Sequence, residues 1–125
     1  MMATFYICKH CGNLIEMVHD AGVPVVCCGE KMHKLTANTT DAATEKHVPL
    51  VKVDGGTVSV NVGSVSHPME EKHWIVWVAL ETRNGIHRKN LKPGSAPEVT
   101  FALGGDQPVA VYAYCNLHGL WKSEL

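Results

Sequence analysis

Long hydrophobic runs are absent from this sequence. The longest uninterrupted apolar run covers residues 74–80, seven residues, whereas a membrane-spanning helix needs about 20. This excludes a protein that crosses a membrane by helices. The chain also reaches Cys8 before the hydrophobic segment of a signal peptide could form, and this predicts a cytoplasmic protein.

An excess of charge of either sign is also lacking. The 125 residues carry 11 Lys and Arg against 12 Asp and Glu, so the formal net charge is −1 when all eight histidines are neutral. This balance gives no electrostatic reason to expect nucleic acid or an anionic membrane as a partner. Apolar residues make up 46% and charged residues 18% of the chain, a composition typical of a globular protein that can bury a core.

Cysteine and histidine are present in unusual number, with five of the first and eight of the second. In a reducing compartment, closely spaced cysteines hold a metal more often than they pair as disulfides, and an odd number argues against a closed disulfide framework. Four of the five lie within the first 28 residues, and Cys115 stands far from them along the chain. The sequence therefore predicts two separate sites.

Two domains are predicted, one at residues 1–36 and one at residues 37–125. The first is too small to be stable without a staple, and a metal bound by its cysteines would serve as that staple. Small polar residues at 36–44 are typical of a linker, and one helical turn is expected at 41–46.

Beyond the linker, short segments with strand character alternate with turn signals that contain glycine or proline. Val58, Val60 and Val62 alternate with polar residues, which is the period of a half-buried strand. The expected strands are 48–53, 57–62, 74–82, 98–103 and 109–114. An all-β protein follows, in which a small metal-binding domain precedes an immunoglobulin-like β-sandwich.

The first candidate site combines a CxxC motif, Cys8 and Cys11, with the adjacent pair Cys27 and Cys28. A gap of two residues lets both thiolates of a CxxC motif converge on one ion, whereas adjacent side chains tend to diverge. We therefore expect four thiolates around one ion in a distorted tetrahedron. Sulfur spacing alone leaves a structural zinc site and an iron centre equally open.

The second candidate site consists of five residues at junctions between loops and predicted strands. They are His47, His67, His73, Cys115 and His118. Each of them taken alone has an ordinary explanation as a surface or core residue, and it is their joint placement that favours a site. Four imidazoles and one thiolate are too many ligands for tetrahedral zinc and leave one octahedral position free on iron. An open position on a redox-active metal indicates chemistry on a small oxygen species.

The motifs around these residues resemble the desulfoferrodoxin family, the two-iron class of superoxide reductases. The resemblance covers nearly the whole chain, and the motifs in this order are highly specific. The matching stretches are CKHCGN at 8–13, VCCG at 26–29, EKHVP at 45–49, HPMEEKHW at 67–74 and YCNLHG at 114–119.

The resemblance implies two iron centres in each chain. The N-terminal domain looks like desulforedoxin, a homodimer-forming domain in which Cys8, Cys11, Cys27 and Cys28 hold one iron, and zinc can replace this iron during expression. The C-terminal domain is similar to neelaredoxin, in which four histidines surround a non-haem iron in a plane and a cysteine binds it axially. The ligands implied here are His47, His67, His73, His118 and Cys115.

The implied activity is reduction of superoxide by one electron at the position opposite Cys115. Two protons then complete hydrogen peroxide, no dioxygen forms, and reduced rubredoxin is the family's usual electron donor. Such an enzyme would serve detoxification of superoxide in an anaerobe or microaerophile. The Lys46 ammonium would attract superoxide and stabilise developing negative charge, although Glu45 and Lys46 also fit a solvated charge pair. By resemblance, the Glu45 carboxylate can occupy the open position in the oxidised resting state.

Other functions are compatible with the same ligands. Both irons could belong to a non-catalytic electron carrier, but a pure carrier needs neither an open position nor Lys46. A redox or gas sensor is a further alternative, although no basic stretch accompanies the site. A superoxide dismutase is the nearest enzymatic rival, and release of dioxygen without a reductant would distinguish it.

Overall fold

The computed structural model describes residues 3–125, and the chain divides into two compact units. The first unit ends at Thr36 and the second begins at Ala37. Within residues 3–125, no helix is both long enough and apolar enough to cross a membrane.

The N-terminal unit consists of five very short strands in two antiparallel groups. Its strands are β1 (Phe5–Ile7), β2 (Leu14–Glu16), β3 (Val26–Cys27), β4 (Glu30–Lys31) and β5 (His33–Lys34). A three-stranded sheet has the order β2-β1-β5, and β3 pairs with β4 as a ribbon. Strands of two or three residues leave little apolar surface to bury, so a bound metal is an expected source of stability in this unit.

The C-terminal unit is a sandwich of two antiparallel sheets, preceded by one helical turn. Its elements are α1 (Thr44–His47), β6 (Pro49–Asp54), β7 (Thr57–Val62), β8 (Ile75–Thr82), β9 (Ile86–Asn90), β10 (Glu98–Ala102), β11 (Pro108–Cys115) and β12 (Gly119–Glu124). One sheet has the order β10-β7-β6 and the other β12-β11-β8-β9. The predicted all-β class, with a β-sandwich after a small four-cysteine unit, is confirmed.

The core lies between the inner faces of these two sheets. Val58, Val60 and Val62 are at most 3% exposed, as their alternation predicts. Side chains of β8 and β11 face them, and Cys115 belongs to the same buried cluster. Cys115 therefore lies at one end of the core, where apolar side chains shield its sulfur atom from water.

Two strands of the sandwich were not expected from the sequence. Strand β9 lies between the expected strands 74–82 and 98–103, and four of its five residues are polar, so its sequence carries no apolar alternation. Strand β12 has its two buried apolar residues next to each other, at Leu120 and Trp121, so it lacks the alternation of a half-buried strand. The helical turn also begins at Thr44, three residues later than predicted.

Candidate metal centres

Backbone N–H groups near Cys8 stabilise a negative charge on its sulfur. Cys8 lies one residue beyond β1, and the Gly12 N–H closes a tight turn by donating to the Cys8 carbonyl over 2.8 Å. Gly12 has a φ of +84°, a conformation that glycine adopts without strain. The Cys11 N–H, and to a lesser extent the His10 N–H, donates to the Cys8 sulfur and helps to lower the pKa of this thiol to about 6.

The adjacent cysteines converge because the backbone leaves the extended conformation between them. Cys27 ends β3, and successive side chains of a strand point to opposite faces. Cys28 has a φ of +54°, which turns the chain and redirects its side chain. As a result the sulfur atoms of Cys8, Cys11, Cys27 and Cys28 all lie within 4.8 Å of one another.

Both the positions and the pKa values of these four cysteine thiols are suited to a metal ion. Beside Cys11 and Cys8, the pKa of Cys28 rises to about 12, and the pKa of Cys27 is raised by the same two neighbours. Four thiols this close cannot all ionise unless a cation balances their charge, and tetrahedral thiolate sets suit zinc or iron. Cys11 and Cys28 are exposed, so this centre is accessible from solvent.

The second group lies at the end of the sandwich, where four loop–strand junctions meet. His47 is the last residue of α1, His67 follows β7, His73 precedes β8 and Cys115 is the last residue of β11. One ligand atom of each of these four residues lies within 4.8 Å of the others. The chain thus brings together donors that are up to 68 residues apart in sequence, since Cys115 follows His47 by that distance.

Hydrogen bonds at the Nδ1 atoms of two histidines fix which ring nitrogens face the centre. The Nδ1 of His47 donates to the Ala43 carbonyl over 2.7 Å, and the Nδ1 of His67 donates to the Pro68 carbonyl over 2.6 Å. Because a carbonyl only accepts, both protons of the neutral rings lie at Nδ1. The two Nε2 atoms are 3.2 Å apart and therefore face each other as unprotonated acceptors, an arrangement that a shared cation stabilises.

Burial keeps the imidazoles neutral, as metal ligands must be. It is the main cause of the lowered pKa of His47 and His73, and it lowers the pKa of His67 to about 4. The Nε2 of His73 is buried and has no hydrogen-bond partner among the described residues. A buried polar atom without a partner is costly, so this atom is a further sign that the group fits a metal.

Cys115 supplies the only sulfur of this group. Burial raises the pKa of its thiol, and the backbone N–H groups of Leu117 and His118 oppose that shift by donating to the sulfur. A positive ion beside the sulfur would ionise it, as it does for thiols that coordinate metals. The group therefore offers neutral nitrogen donors and one potential thiolate in a site that the core shields.

His118 lies next to the compact group of four. The three residues 116–118 connect β11 to β12, and Cys115 pairs with Gly119 across this hairpin. The Nδ1 of His118 is 3.1 Å from the Nε2 of His47 and 3.9 Å from the Cys115 sulfur. All five predicted residues thus meet at one place, and His118 directs Nδ1 toward it, whereas His47 and His67 direct Nε2.

Glu45 and Lys46 directly precede His47 in α1. Both residues are exposed, while the Glu45 carbonyl accepts the Val65 N–H over 2.9 Å and holds the main chain in place. The positive charge of Lys46 contributes to the lowered pKa of His47 and of His73.

Sequence reasoning missed two residues that support the second group. Trp121 stacks on His47 with 4.8 Å between ring centroids, but its strand went unrecognised. A Cβ on Gly63 would lie 2.7 Å from the Glu45 carbonyl oxygen and 2.8 Å from that of Val48. Only glycine allows the main chain to approach the helical turn so closely, and a single glycine in the sequence carries no signal of that approach.

Comparison with known proteins identifies the family. The family described as desulfoferrodoxin matches residues 39–124, and its N-terminal domain matches residues 2–35. The chain belongs to the desulfoferrodoxin family. A desulfoferrodoxin from Nitratidesulfovibrio vulgaris is 50% identical over 119 residues, which cover 95% of this chain and 94% of that protein. The predicted family is thereby confirmed.

Solved structures of other members match the fold. The crystal structure of the superoxide reductase from Treponema pallidum is 45% identical, covers 99% of this chain and 100% of its own, and has a TM-score of 0.82. A one-iron superoxide reductase from Giardia intestinalis is 33% identical, covers 66% of this chain and all of its own, and has a TM-score of 0.53. The family therefore includes proteins that are named as enzymes of superoxide reduction.

Proposed function

We propose that this chain is a superoxide reductase whose catalytic iron is held by the second group. The proposed ligands are His47, His67, His73, Cys115 and His118. The observation that carries the proposal is the convergence of three imidazole nitrogens, two of them unprotonated, beside one buried sulfur. Relatives that are named superoxide reductase support the same reaction.

The proposed reaction adds one electron and two protons to superoxide and yields one hydrogen peroxide. Iron in this site would supply the one-electron redox chemistry, which none of the surrounding side chains provides. The neutral imidazoles leave the overall charge of the ligand set low, and Cys115 contributes the only negative charge among the five residues. Lys46 would draw the superoxide anion toward the site, and water would supply the protons. The exposed Glu45 carboxylate would serve as a further oxygen ligand to the iron when superoxide is absent.

Replacing Lys46 by alanine is expected to slow the reaction with superoxide about tenfold at low ionic strength. The physical reason is the loss of a positive charge that attracts an anion and stabilises developing negative charge. Rapid-mixing kinetics at several salt concentrations would measure both the rate and its salt dependence. Lys46→Arg should retain most of the rate, and Lys52→Ala, on an exposed residue of β6, is the matched control. Equal rates for Lys46→Ala and the control would remove Lys46 from the mechanism.

The four-cysteine group is proposed to hold a second iron that takes part in electron transport. Exposure of Cys11 and Cys28 supports contact with an external electron donor, and a rubredoxin-type protein is the proposed donor. Zinc suits the same thiolates, so preparations that carry zinc in this site are expected when zinc is abundant. Because no disulfide joins any of the five cysteines, a reducing compartment such as the cytoplasm is the proposed location. Protection of an anaerobe or microaerophile against superoxide is the proposed role.

A homodimer is proposed, formed through the N-terminal unit. This unit exposes Val18, Val23 and Val26, which are 86%, 71% and 61% exposed. A concave region of about 260 Å³ lies beside them, lined by residues that include Tyr6, Met17 and Met32. Exposed apolar side chains concentrated on so small a unit favour burial against a second copy.

Replacing Val23 by glutamate is expected to convert this dimer to a monomer at micromolar concentration, because the charge would have to be buried between copies. Sedimentation velocity measures the change directly. Val53→Glu is the control, since Val53 is 47% exposed on the C-terminal unit. A wild-type monomer, or a Val23→Glu variant that remains dimeric, would contradict an interface at this patch.

Steady-state assays separate the proposed enzyme from its rivals. A superoxide source, the iron-loaded protein and reduced rubredoxin should give one peroxide for each electron drawn from the donor, without dioxygen produced by the enzyme. A dismutase would remove superoxide and release dioxygen with no donor present. A carrier or sensor would leave the lifetime of superoxide unchanged in both assays.

A further inference from the structure

We propose that Asn116 is a positioning residue that holds His73 at a fixed distance from Cys115. This inference rests on the proposed iron site. Asn116 directly follows Cys115 in the hairpin loop, and its side chain reaches the segment that carries His73. Its role is to fix the separation between one nitrogen donor and the sulfur donor. It contacts neither superoxide nor the metal in this proposal.

The Asn116 amide binds the main chain on both sides of His73. Its Nδ2 donates to the Lys72 carbonyl over 2.9 Å, and its Oδ1 accepts the Trp74 N–H over 2.9 Å. The backbone N–H of Asn116 donates to the Trp74 carbonyl over 3.2 Å. Three hydrogen bonds thus join the residue after the sulfur donor to the two neighbours of His73.

The position of His73 depends on hydrogen bonds of its main chain, whereas His47 and His67 are held by hydrogen bonds of their rings. His47 and His67 are oriented through their rings, by the Ala43 and Pro68 carbonyls. For His73, the backbone N–H donates to the Glu70 carbonyl over 3.0 Å, and its carbonyl accepts the Glu70 N–H over 2.9 Å. These two bonds close the loop within itself, whereas the Asn116 bonds connect the loop to β11. The pairing of Ile75 with Cys115 in the sheet also limits the distance between His73 and Cys115. The Asn116 bonds add the connection to β11 that reaches both neighbours of His73.

An amide is the side chain that this connection requires. It presents one donor and one acceptor at a fixed separation, so it can bind a carbonyl and an N–H at the same time. An aspartate of the same shape still accepts from the Trp74 N–H, but its other oxygen faces the Lys72 carbonyl and repels it. Ligand-orienting contacts of this kind typically change metal affinity 10- to 100-fold when they are removed.

The test compares Asn116→Asp and Asn116→Ala with wild type in the full-length, iron-loaded protein. Both variants should lose iron from the histidine–cysteine site to a chelator at concentrations about 10- to 100-fold lower than wild type. The absorption band of the ferric iron bound to Cys115 should shift, and amide hydrogen exchange at Trp74 should accelerate. The spectrum of the four-cysteine centre should stay unchanged and report that the N-terminal unit is intact. Asn90→Asp, on an exposed residue of β9, is the matched control.

Wild-type chelator resistance and an unshifted band in both Asn116 variants would overturn the positioning role. If Asn116→Ala fails to fold, Asn116→Asp alone decides, because it keeps the size of the side chain and one of the two bonds. Failure of the proposed function gives a different result. In that case wild type would show no absorption band that disappears in Cys115→Ser, whatever the behaviour of the Asn116 variants.

Discussion

Cys115→Ser is expected to reduce superoxide turnover to the background rate while the four-cysteine centre keeps its spectrum. Cys115 is fully buried at the end of the core and is the only sulfur among the five proposed ligands. Serine has nearly the same size, but its hydroxyl does not ionise near neutral pH and is a poor ligand for iron compared with a thiolate. Peroxide formation after superoxide pulses, measured beside the iron content, checks the result.

Folding of this variant must be measured separately from its activity. A hydroxyl in place of the thiol in an apolar environment costs about 1–3 kcal/mol of stability. Thermal unfolding of the metal-free proteins would show whether the sandwich survives this cost. A folded Cys115→Ser protein that keeps half or more of the wild-type turnover would contradict the proposed ligand role of Cys115.

Cys11→Ser is expected to leave the reaction with superoxide within about twofold of wild type, although it should disrupt the first metal centre. Cys11 belongs to the N-terminal unit, and the five proposed catalytic ligands all belong to the other unit. Loss of one of four thiolates weakens a tetrahedral centre strongly, because each supplies both charge and geometry. Single-turnover kinetics of the reduced protein isolate the catalytic step from electron delivery.

The outcome of Cys11→Ser also decides the role of the first centre. Slower turnover with rubredoxin, at an unchanged single-turnover rate, would make the four-cysteine iron a relay for electrons. An equal loss in Cys11→Ser and Cys115→Ser would show that the N-terminal centre is obligatory for the chemistry, and this would contradict the account.

Much of the fold could be predicted because it follows from local patterns. The alternation of Val58, Val60 and Val62 is a local signal, and the strand it predicted has the observed bounds. Strands β9 and β12 carry no such signal. The side chains of β9 are mostly exposed, and β12 owes its position to pairing with β11. Pairing between distant segments overrides local preference at these positions.

For the candidate sites, too, some features could be predicted from local sequence patterns and others could not. Cys8 and Cys11 are recognisable from spacing alone, and the joint motifs around His47, His67 and Cys115 pointed to a second centre. The contacts that support the centre could not be predicted from the sequence. The bonds from Asn116 to the segment around His73 and the close approach of Gly63 to the helical turn depend on how distant segments pack. Such contacts become visible only in three dimensions.

The most direct test of the account is one turnover of the fully reduced, iron-loaded protein with a limited pulse of superoxide. Each superoxide consumed should oxidise one iron of the histidine–cysteine site and yield one hydrogen peroxide, without release of dioxygen. Two superoxide molecules consumed for each peroxide, with dioxygen released, would identify a dismutase. Iron that stays reduced, or a site that holds only zinc, would contradict the proposed catalytic centre altogether.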